Sequence, residues 1–213
     1  MKKNNYCLML SEEVVAAIDA RASREGTNRS ALINRILAEY VSYVTPEMRV
    51  REILTSARDA LHLAFRREAE SDTALALCSS LAYRYNPTVR YTLDFDRSAN
   101  TLGVLRVSLR TKNQVLIAML YRFFELFARL EGEYVGNCEY TVGEGRFSRV
   151  LRLRDEGKTM LTLEGIGSLV ADYLTMLDNA MKAYFRYAPR EHEAFLAMGA
   201  IYRSYLAGAA ALV

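Results

Sequence analysis

Asn28, Arg29 and Ser30 are the residues of this chain whose types and spacing best suit a chemical task. They come immediately before residues 31–40, where apolar side chains recur at helical spacing. Asn28 or Ser30 can cap a helix that begins here, and the first amides of a helix lack partners within it. Free amides at the N-terminus of a helix make a favourable anion site, so an anion is the ligand that this segment suits on physical grounds.

Residues that support catalysis or metal binding are sparse in the sequence. His62 and His192 are the two histidines and neither lies in a spaced ligand pattern, while Cys7, Cys78 and Cys138 lie far apart. A metal sensor needs several such ligands close together, so we expect neither a metal nor another cofactor. Glycine-rich phosphate loops, Ser/His/Asp arrangements and paired-carboxylate motifs do not stand out either. We therefore do not expect an enzyme.

Two other groups of side chains could contact a nucleic acid. Residues 146–154 (RFSRVLRLR) are rich in arginine, and tyrosines recur in residues 83–91 and 181–189. For the tyrosines we favour the edge of the core, with hydroxyls at the surface, over stacking on bases or on a ligand. For the arginines we favour a solvated sheet face with carboxylate partners on neighbouring strands over a second nucleic-acid surface. These arginines are Arg146, Arg149, Arg152 and Arg154.

The composition is that of an ordinary folded protein. The 213 residues suit one large or two small domains, and the hydrophobic share of 51% is ample for a buried core. A net charge of +3 permits nucleic acid as a partner without arguing for it. The scattered cysteines favour a reducing compartment, and the apolar runs are too short for a signal peptide or a membrane span. We expect a soluble cytoplasmic protein with no membrane partner.

Residues 1–45 are predicted to contain one strand and two helices. The strand covers residues 4–10, and Ser11 with two following glutamates begins a helix whose apolar stripe ends at Gly26. A second helix follows and is ended by Pro46. Its core face consists of Leu32, Ile33, Ile36, Leu37 and Tyr40.

A single strand in so short a segment needs a partner. Its backbone donors and acceptors are unsatisfied when no neighbouring strand is present. A strand and two helices also provide too little core for one copy of the segment. Two copies that share an intertwined core solve both problems, so we expect a homodimer or a higher homo-oligomer.

This order of elements resembles the ribbon-helix-helix family of Arc-, MetJ- and CopG-like repressors. The resemblance covers residues 2–44, about a fifth of the chain, and is carried by the strand YCLML, the helix start SEEVVAAID, the turn REGTNRS and the second helix SALINRILAEYV. It implies an intertwined dimer whose paired strands enter the major groove of double-stranded DNA. It also implies that the start of the second helix grips a phosphate.

The resemblance assigns roles to individual residues. The residues that it places against base edges are Asn5, Cys7 and Met9. Those that it places against phosphates are Lys2, Lys3, Asn28, Arg29 and Ser30. The dimer core that it implies consists of Tyr6, Leu8, Leu10, Ile18, Leu32, Ile33, Ile36 and Leu37.

Two of the base-facing residues depart from the family pattern. Polar side chains are common at these positions, because base edges are read by hydrogen bonds. Asn5 can pair with adenine, whereas Cys7 and Met9 can at best contact thymine methyl groups. A module that serves only to dimerise, with its outer face covered by protein, is therefore an alternative to DNA binding.

Residues 46–213 are predicted to form a second domain with antiparallel hairpins and long packed helices. In the clearest hairpin, Val89, Tyr91, Leu93 and Phe95 face the same side as Leu105, Val107 and Leu109. The order strand, strand, long helix then recurs, which suggests an internal duplication. The predicted helices cover residues 47–70, 72–85, 112–131, 166–185 and 190–206, and the later strands residues 138–142, 147–154 and 159–163.

Together these patterns predict an α+β protein with a ribbon-helix-helix module in residues 1–45 and a C-terminal α+β domain in residues 46–213. We expect a DNA-binding transcriptional regulator of the repressor type, whose C-terminal domain oligomerises or senses an effector that the sequence does not identify. One alternative is an accessory protein of plasmid or phage DNA processing. Another is an interaction scaffold or antitoxin that uses the N-terminal module to dimerise.

Overall fold

The chain divides into two compact units, Met1–Thr45 and Pro46–Val213. A computed structural model describes residues 7–96, 101–136, 138–143, 146–153, 161–188, 190–208 and 212. These residues form six helices and one six-stranded antiparallel sheet. The mixed α+β class predicted from the sequence is therefore confirmed.

The N-terminal unit contains two helices, α1 (Glu12–Arg24) and α2 (Arg29–Tyr40). Ser11 caps α1, because its hydroxyl accepts a hydrogen bond from the Val14 amide at 3.4 Å. Gly26 adopts a φ of +63° in the turn between the helices, a conformation that other residues rarely tolerate. The two helices and their caps agree with the sequence prediction, whereas α2 ends at Tyr40, before Pro46 is reached.

The structure describes only part of the predicted N-terminal strand, residues 4–10. Residues 7–10 belong to neither a helix nor a strand in this single chain, and residues 4–6 lie outside the described residues. A ribbon would form between two copies, and one copy cannot supply the partner strand. The ribbon-helix-helix arrangement therefore stays a prediction.

The sheet of the C-terminal unit has the strand order β1-β2-β3-β4-β6-β5. Its central hairpin is as predicted, with Tyr91 opposite Val107 and Leu93 opposite Leu105, and all four side chains are buried. The opposite face carries polar side chains, and Arg90 pairs there with Glu68. The strands are β1 (Arg66–Glu70), β2 (Ala74–Ser80), β3 (Thr88–Phe95), β4 (Gly103–Leu109), β5 (Tyr140–Gly143) and β6 (Arg146–Leu151).

Four helices accompany the sheet: α3 (Pro46–Leu61), α4 (Gln114–Val135), α5 (Leu163–Tyr187) and α6 (Glu191–Gly208). They cover its apolar face, where the Phe124 ring of α4 stacks on the Phe147 ring of β6 at 4.6 Å. Helix α5 packs against both α3 and α6, and most of its residues are buried. None of the helices in the described ranges is both long and apolar enough to cross a membrane.

Two helices predicted before the hairpin are wrong in whole or in part. Helix α3 ends at Leu61, and β1 occupies the last five residues of the range predicted as helix 47–70. The helix predicted over residues 72–85 is the strand β2. Alanine and leucine in ALALCSS favour a helix locally, but pairing with β1 and β3 and burial of Leu75 and Leu77 override that preference.

The later elements agree better with the prediction. The strand expected near residues 159–163 is wrong where the structure describes it, because Thr162 is the N-cap of α5 and Leu163 is its first residue. Residues 159 and 160 lie outside the described residues. In the order β3-β4-β6-β5 the two hairpins lie side by side with β4 paired to β6, as a duplicated hairpin would give, and duplication stays a hypothesis.

Candidate functional site

The start of α2 holds the predicted phosphate-binding residues of the described chain. Asn28 is the N-cap, and its Oδ1 accepts a hydrogen bond from the Ala31 amide at 2.9 Å. The Arg29 guanidinium binds both oxygens of Asp19 on α1, and its Nε lies 2.7 Å from Oδ1. This hydrogen bond lowers the pKa of Asp19. Ser30 is exposed beside them, so a cap, an arginine and a hydroxyl meet at one helix end.

The predicted base-facing residues are partly described. Cys7 is exposed, and Met9 is 99% exposed. Asn5, Lys2 and Lys3 lie outside the described residues, as does Tyr6 of the predicted dimer core. An exposed methionine at this position is free to contact a groove or another protein surface.

The predicted dimer core is largely uncovered in one copy. Leu32 is fully buried and Ile18, Ile33 and Ile36 are half-buried. Of the fifteen exposed large hydrophobic residues in the described ranges, nine lie between positions 8 and 44. They are Leu8, Met9, Leu10, Val14, Leu37, Tyr40, Val41, Tyr43 and Val44. Such a concentration of exposed apolar side chains is typical of an interaction surface.

A second polar group lies deep in the C-terminal unit, where Arg149 of β6 meets Glu131 of α4. The Arg149 Nη2 and Glu131 Oε1 atoms are 3.0 Å apart, and both side chains are completely buried. Three tyrosine hydroxyls donate hydrogen bonds to the Glu131 carboxylate: Tyr140 at 2.7 Å, Tyr173 at 3.3 Å and Tyr202 at 3.3 Å. We call these five residues the buried ion-pair cluster.

The Arg149 guanidinium has further contacts besides Glu131. The guanidinium carbon lies 4.7 Å from the centre of the Tyr173 ring, and Nη2 also donates to the Leu212 carbonyl at 3.2 Å. Nε and Nη1 of Arg149 have no hydrogen-bond partner among the described residues. Burial raises the pKa of Glu131, and Arg149 and the tyrosine hydroxyls oppose that rise. The cluster connects α4, α5, α6, β5 and β6.

The predicted solvent-facing position of Arg149 is wrong. In β6 the buried positions alternate as Phe147, Arg149 and Leu151, so Arg149 points into the core. Arg146 is exposed, and Arg152 pairs with Glu139 at 2.7 Å, which agrees with the predicted solvated face. Arg154 lies outside the described residues. Phe147 and Leu151 are apolar and lie two residues before and after Arg149, so period-two alternation in a strand indicates the inward position of Arg149 from the sequence.

Tyr91 is likewise deeper than predicted. Its hydroxyl donates to Asp178 of α5 at 2.9 Å, in the core and not at the surface. Asp178 also holds Lys182, with 2.6 Å between Oδ2 and Nζ. Desolvation, followed by the Asp178 charge, raises the pKa of Tyr91. Tyr85, in contrast, is almost fully exposed.

A groove with a volume of about 690 Å³ runs between α5 and α6. The α5 side supplies Asp172, Thr175, Asn179, Lys182 and Arg186, and the α6 side includes Ile201, Ser204 and Tyr205. Desolvation raises the pKa of Asp172. In the described ranges, no three or more His, Cys, Asp or Glu side chains come together in a way that could hold a metal ion.

Comparison with known proteins found no relative of this chain. Protein-family models, curated proteins and solved structures gave no match to this chain.

Proposed function

We propose that the chain is a DNA-binding transcriptional regulator of the repressor type that acts as a homodimer. Two N-terminal strands, one from each copy, pair into a ribbon that enters the major groove. The observation that carries this proposal is the N-terminal unit itself, in which two capped helices joined by a glycine turn leave their apolar side chains exposed. A unit built in this way needs a partner.

A second copy is the partner that accounts for most of the exposed surface. Full burial of a leucine side chain contributes about 1.5–3 kcal/mol. Leu8 and Leu10 precede α1 and Leu37 lies on α2, so an intertwined dimer would cover apolar residues on each segment of the unit. The half-buried residues Ile33 and Ile36 would be covered in the same step.

The start of α2 supports phosphate binding in such a dimer. The amides of a helix N-terminus and the positive end of its dipole attract an anion. Arg29 is occupied by Asp19, but the pair is about half exposed, and ion pairs at the surface contribute little to stability. A DNA phosphate can therefore take over Arg29 from Asp19 at small cost.

The base-facing residues make this a weak reader of sequence. Each missing bidentate pair lowers discrimination between bases by roughly 1–3 kcal/mol, and neither Cys7 nor Met9 can form one. A C-terminal domain that links several DNA-binding modules would raise the overall affinity without new base contacts. Oligomerisation, or its control by an effector, is the role that we propose for residues 46–213.

Selection of bound fragments from a random pool of double-stranded DNA, with the purified full-length chain, tests the proposal. Enrichment of a short palindrome is the expected result, with an affinity that falls steeply as salt increases. Arg29→Ala should weaken binding to all sequences alike and reduce the salt slope by about one, whereas Arg24→Ala, the same charge change in the last turn of α1, should not.

Other outcomes point to the alternatives. Strong, salt-dependent binding without sequence enrichment would favour an accessory protein of plasmid or phage DNA processing. No binding even at low salt would overturn DNA recognition and favour a scaffold or antitoxin that uses the module to dimerise.

A further inference from the structure

One face of α5 carries charges in a self-complementary order. Asp172, Asn179 and Arg186 are all exposed and are spaced seven residues apart, so they lie on one stripe of the helix. The stripe begins with an acid, ends with a base and has an amide at its midpoint. Fourteen residues of helix span about 21 Å, which is the distance along the axis between the two charges.

We propose that this stripe, which we call the α5 stripe, is an interface with α5 of a second copy, packed antiparallel about a two-fold axis at Asn179. In that arrangement Asp172 faces Arg186 of the second copy, and Arg186 faces its Asp172. The two Asn179 amides meet on the axis, where each can donate to and accept from the other. An isologous contact of this kind is the usual basis of a symmetric dimer.

The charges at both ends of the stripe are available. Neither Asp172 nor Arg186 has a hydrogen bond or ion pair among the described residues, whereas Lys182 between them is bound to Asp178. Partial burial of Asp172 also raises the pKa of its carboxyl group. A carboxylate that has lost water without gaining a partner is unfavourable, and the guanidinium of a second copy would supply that partner.

The dimensions of the groove favour a helix over a small molecule. The opposite charges are too far apart for one small ligand to bridge, whereas another α5 presents the same charges at the same separation. The α6 wall adds Ile201 and Tyr205, which provide an apolar strip beside the polar stripe. Each copy would therefore present the same exposed stripe and the same adjoining α6 wall to the other.

The interface should be weak on its own. The described residues of the stripe are polar, and none of the exposed large hydrophobic residues of this unit lies on it. Weak contacts become effective when the two copies are already joined, because effective concentrations reach the millimolar range. In this respect the inference rests on the proposed N-terminal dimer, which would hold two C-terminal units together.

Thiol cross-linking in the full-length chain tests the α5 stripe directly. In a Cys7→Ser background, Asn179→Cys places a thiol on the proposed axis, and Ala118→Cys on α4 is a matched exposed control. A short bifunctional thiol reagent should give covalent dimer with Asn179→Cys and several-fold less with Ala118→Cys. Circular dichroism spectra confirm that each variant remains folded.

Charge reversal then distinguishes specific pairing of Asp172 with Arg186 of the second copy from non-specific cross-linking. Asp172→Arg and Arg186→Asp, each added singly to the Asn179→Cys variant, should lower the yield of covalent dimer several-fold, because like charges then face each other. Both changes together should restore the yield, and so should a mixture of the two single variants. Equal yields for Asn179→Cys and Ala118→Cys, or yields insensitive to charge reversal, would overturn the inference.

This outcome is independent of the DNA selection. Failure of cross-linking leaves DNA enrichment by the unmodified chain intact, and failure of enrichment leaves the cross-linking pattern intact. The two proposals can therefore fail separately.

Discussion

At the scale of single residues, the most informative feature is the pair of Glu131 and Arg149. Each ion loses its water on burial, which is costly unless the other charge and further hydrogen bonds compensate. Three tyrosine hydroxyls and the Leu212 carbonyl provide those bonds. These bonds offset part of the desolvation cost, whereas Nε and Nη1 of Arg149 stay without a partner among the described residues, and each member alone would be strongly unfavourable in this environment.

We expect Glu131→Gln to lower the free energy of unfolding by about 3–5 kcal/mol, because it leaves the Arg149 charge buried without a counter-ion. The double variant Glu131→Leu with Arg149→Met should cost clearly less than the sum of the single changes. Urea unfolding followed by circular dichroism measures both. Glu139→Gln, which breaks the exposed pair with Arg152, is the control and should cost no more than about 1 kcal/mol. Equal costs at positions 131 and 139 would contradict this account.

At the scale of elements, the success of the sequence prediction followed the strength of the local signal. The hairpin of β3 and β4 was predictable because polar and apolar residues alternate cleanly in both strands. The strand β2 was not predicted, because the alternating alanines and leucines of residues 74–77 suit a helix equally well. Only pairing with β1 and β3 makes this segment a strand.

The candidate site was predictable to a similar degree. Capping of α2 by Asn28 follows from residue type, but the ion pair of Arg29 with Asp19 depends on how two helices pack. The prediction for Arg149 was wrong because a charged side chain usually faces solvent, whereas its register with Phe147 and Leu151 turns it inward. The α5 stripe depends on which face of a helix the fold leaves exposed, and this is not visible before α3 and α6 are in place.

The contact between α3 and α5 depends on one glycine. A Cβ atom at Gly167 would lie 2.5 Å from the Ser56 Cβ and 2.7 Å from the Ile53 carbonyl oxygen, so α3 would have to move away. We expect Gly167→Ala to lower the free energy of unfolding by about 1–3 kcal/mol, as overpacked cores do, despite the better helix propensity of alanine.

Gly132→Ala in α4 is the matched control for Gly167→Ala. A Cβ atom at Gly132 would meet no atom within 4 Å, so the change should stabilise the protein by about 0.5–1 kcal/mol through propensity alone. Urea unfolding of both variants compares them under the same conditions. If Gly167→Ala proved as stabilising as Gly132→Ala, the close approach of the two helices would be refuted.

At the scale of the whole molecule, the two units differ in the size of the hydrophobic core that each can form within one copy. The C-terminal unit encloses a continuous core of its own, built on its sheet and four helices. Within the described residues of the N-terminal unit, the buried hydrophobic side chains are Ala22, Leu32 and Ala38. Stability of the N-terminal unit should therefore depend on association and on protein concentration.

Leu37→Glu tests whether the stability of the N-terminal unit depends on dimerisation. Leu37 is 50% exposed in one copy and belongs to the proposed dimer core, so the change introduces a charge that a dimer would have to bury. Half of the Leu37 side chain is left for a dimer to bury, so the loss is about 0.75–1.5 kcal/mol per leucine, and two leucines per dimer should raise the dissociation constant about 10- to 100-fold. Sedimentation at micromolar concentration should then find monomer where the unmodified chain is dimeric.

Leu196→Glu provides the comparison, because Leu196 on α6 is 54% exposed and lies in the unit that we expect to be stable alone. This variant should keep the mass and the unfolding midpoint of the unmodified chain. The midpoint of the unmodified chain should also rise with protein concentration in the transition of the N-terminal unit, and Leu37→Glu should remove that rise. If both glutamate variants sedimented alike, the exposed apolar side chains of residues 8–44 would not be a dimer surface, and the ribbon would lose its physical basis.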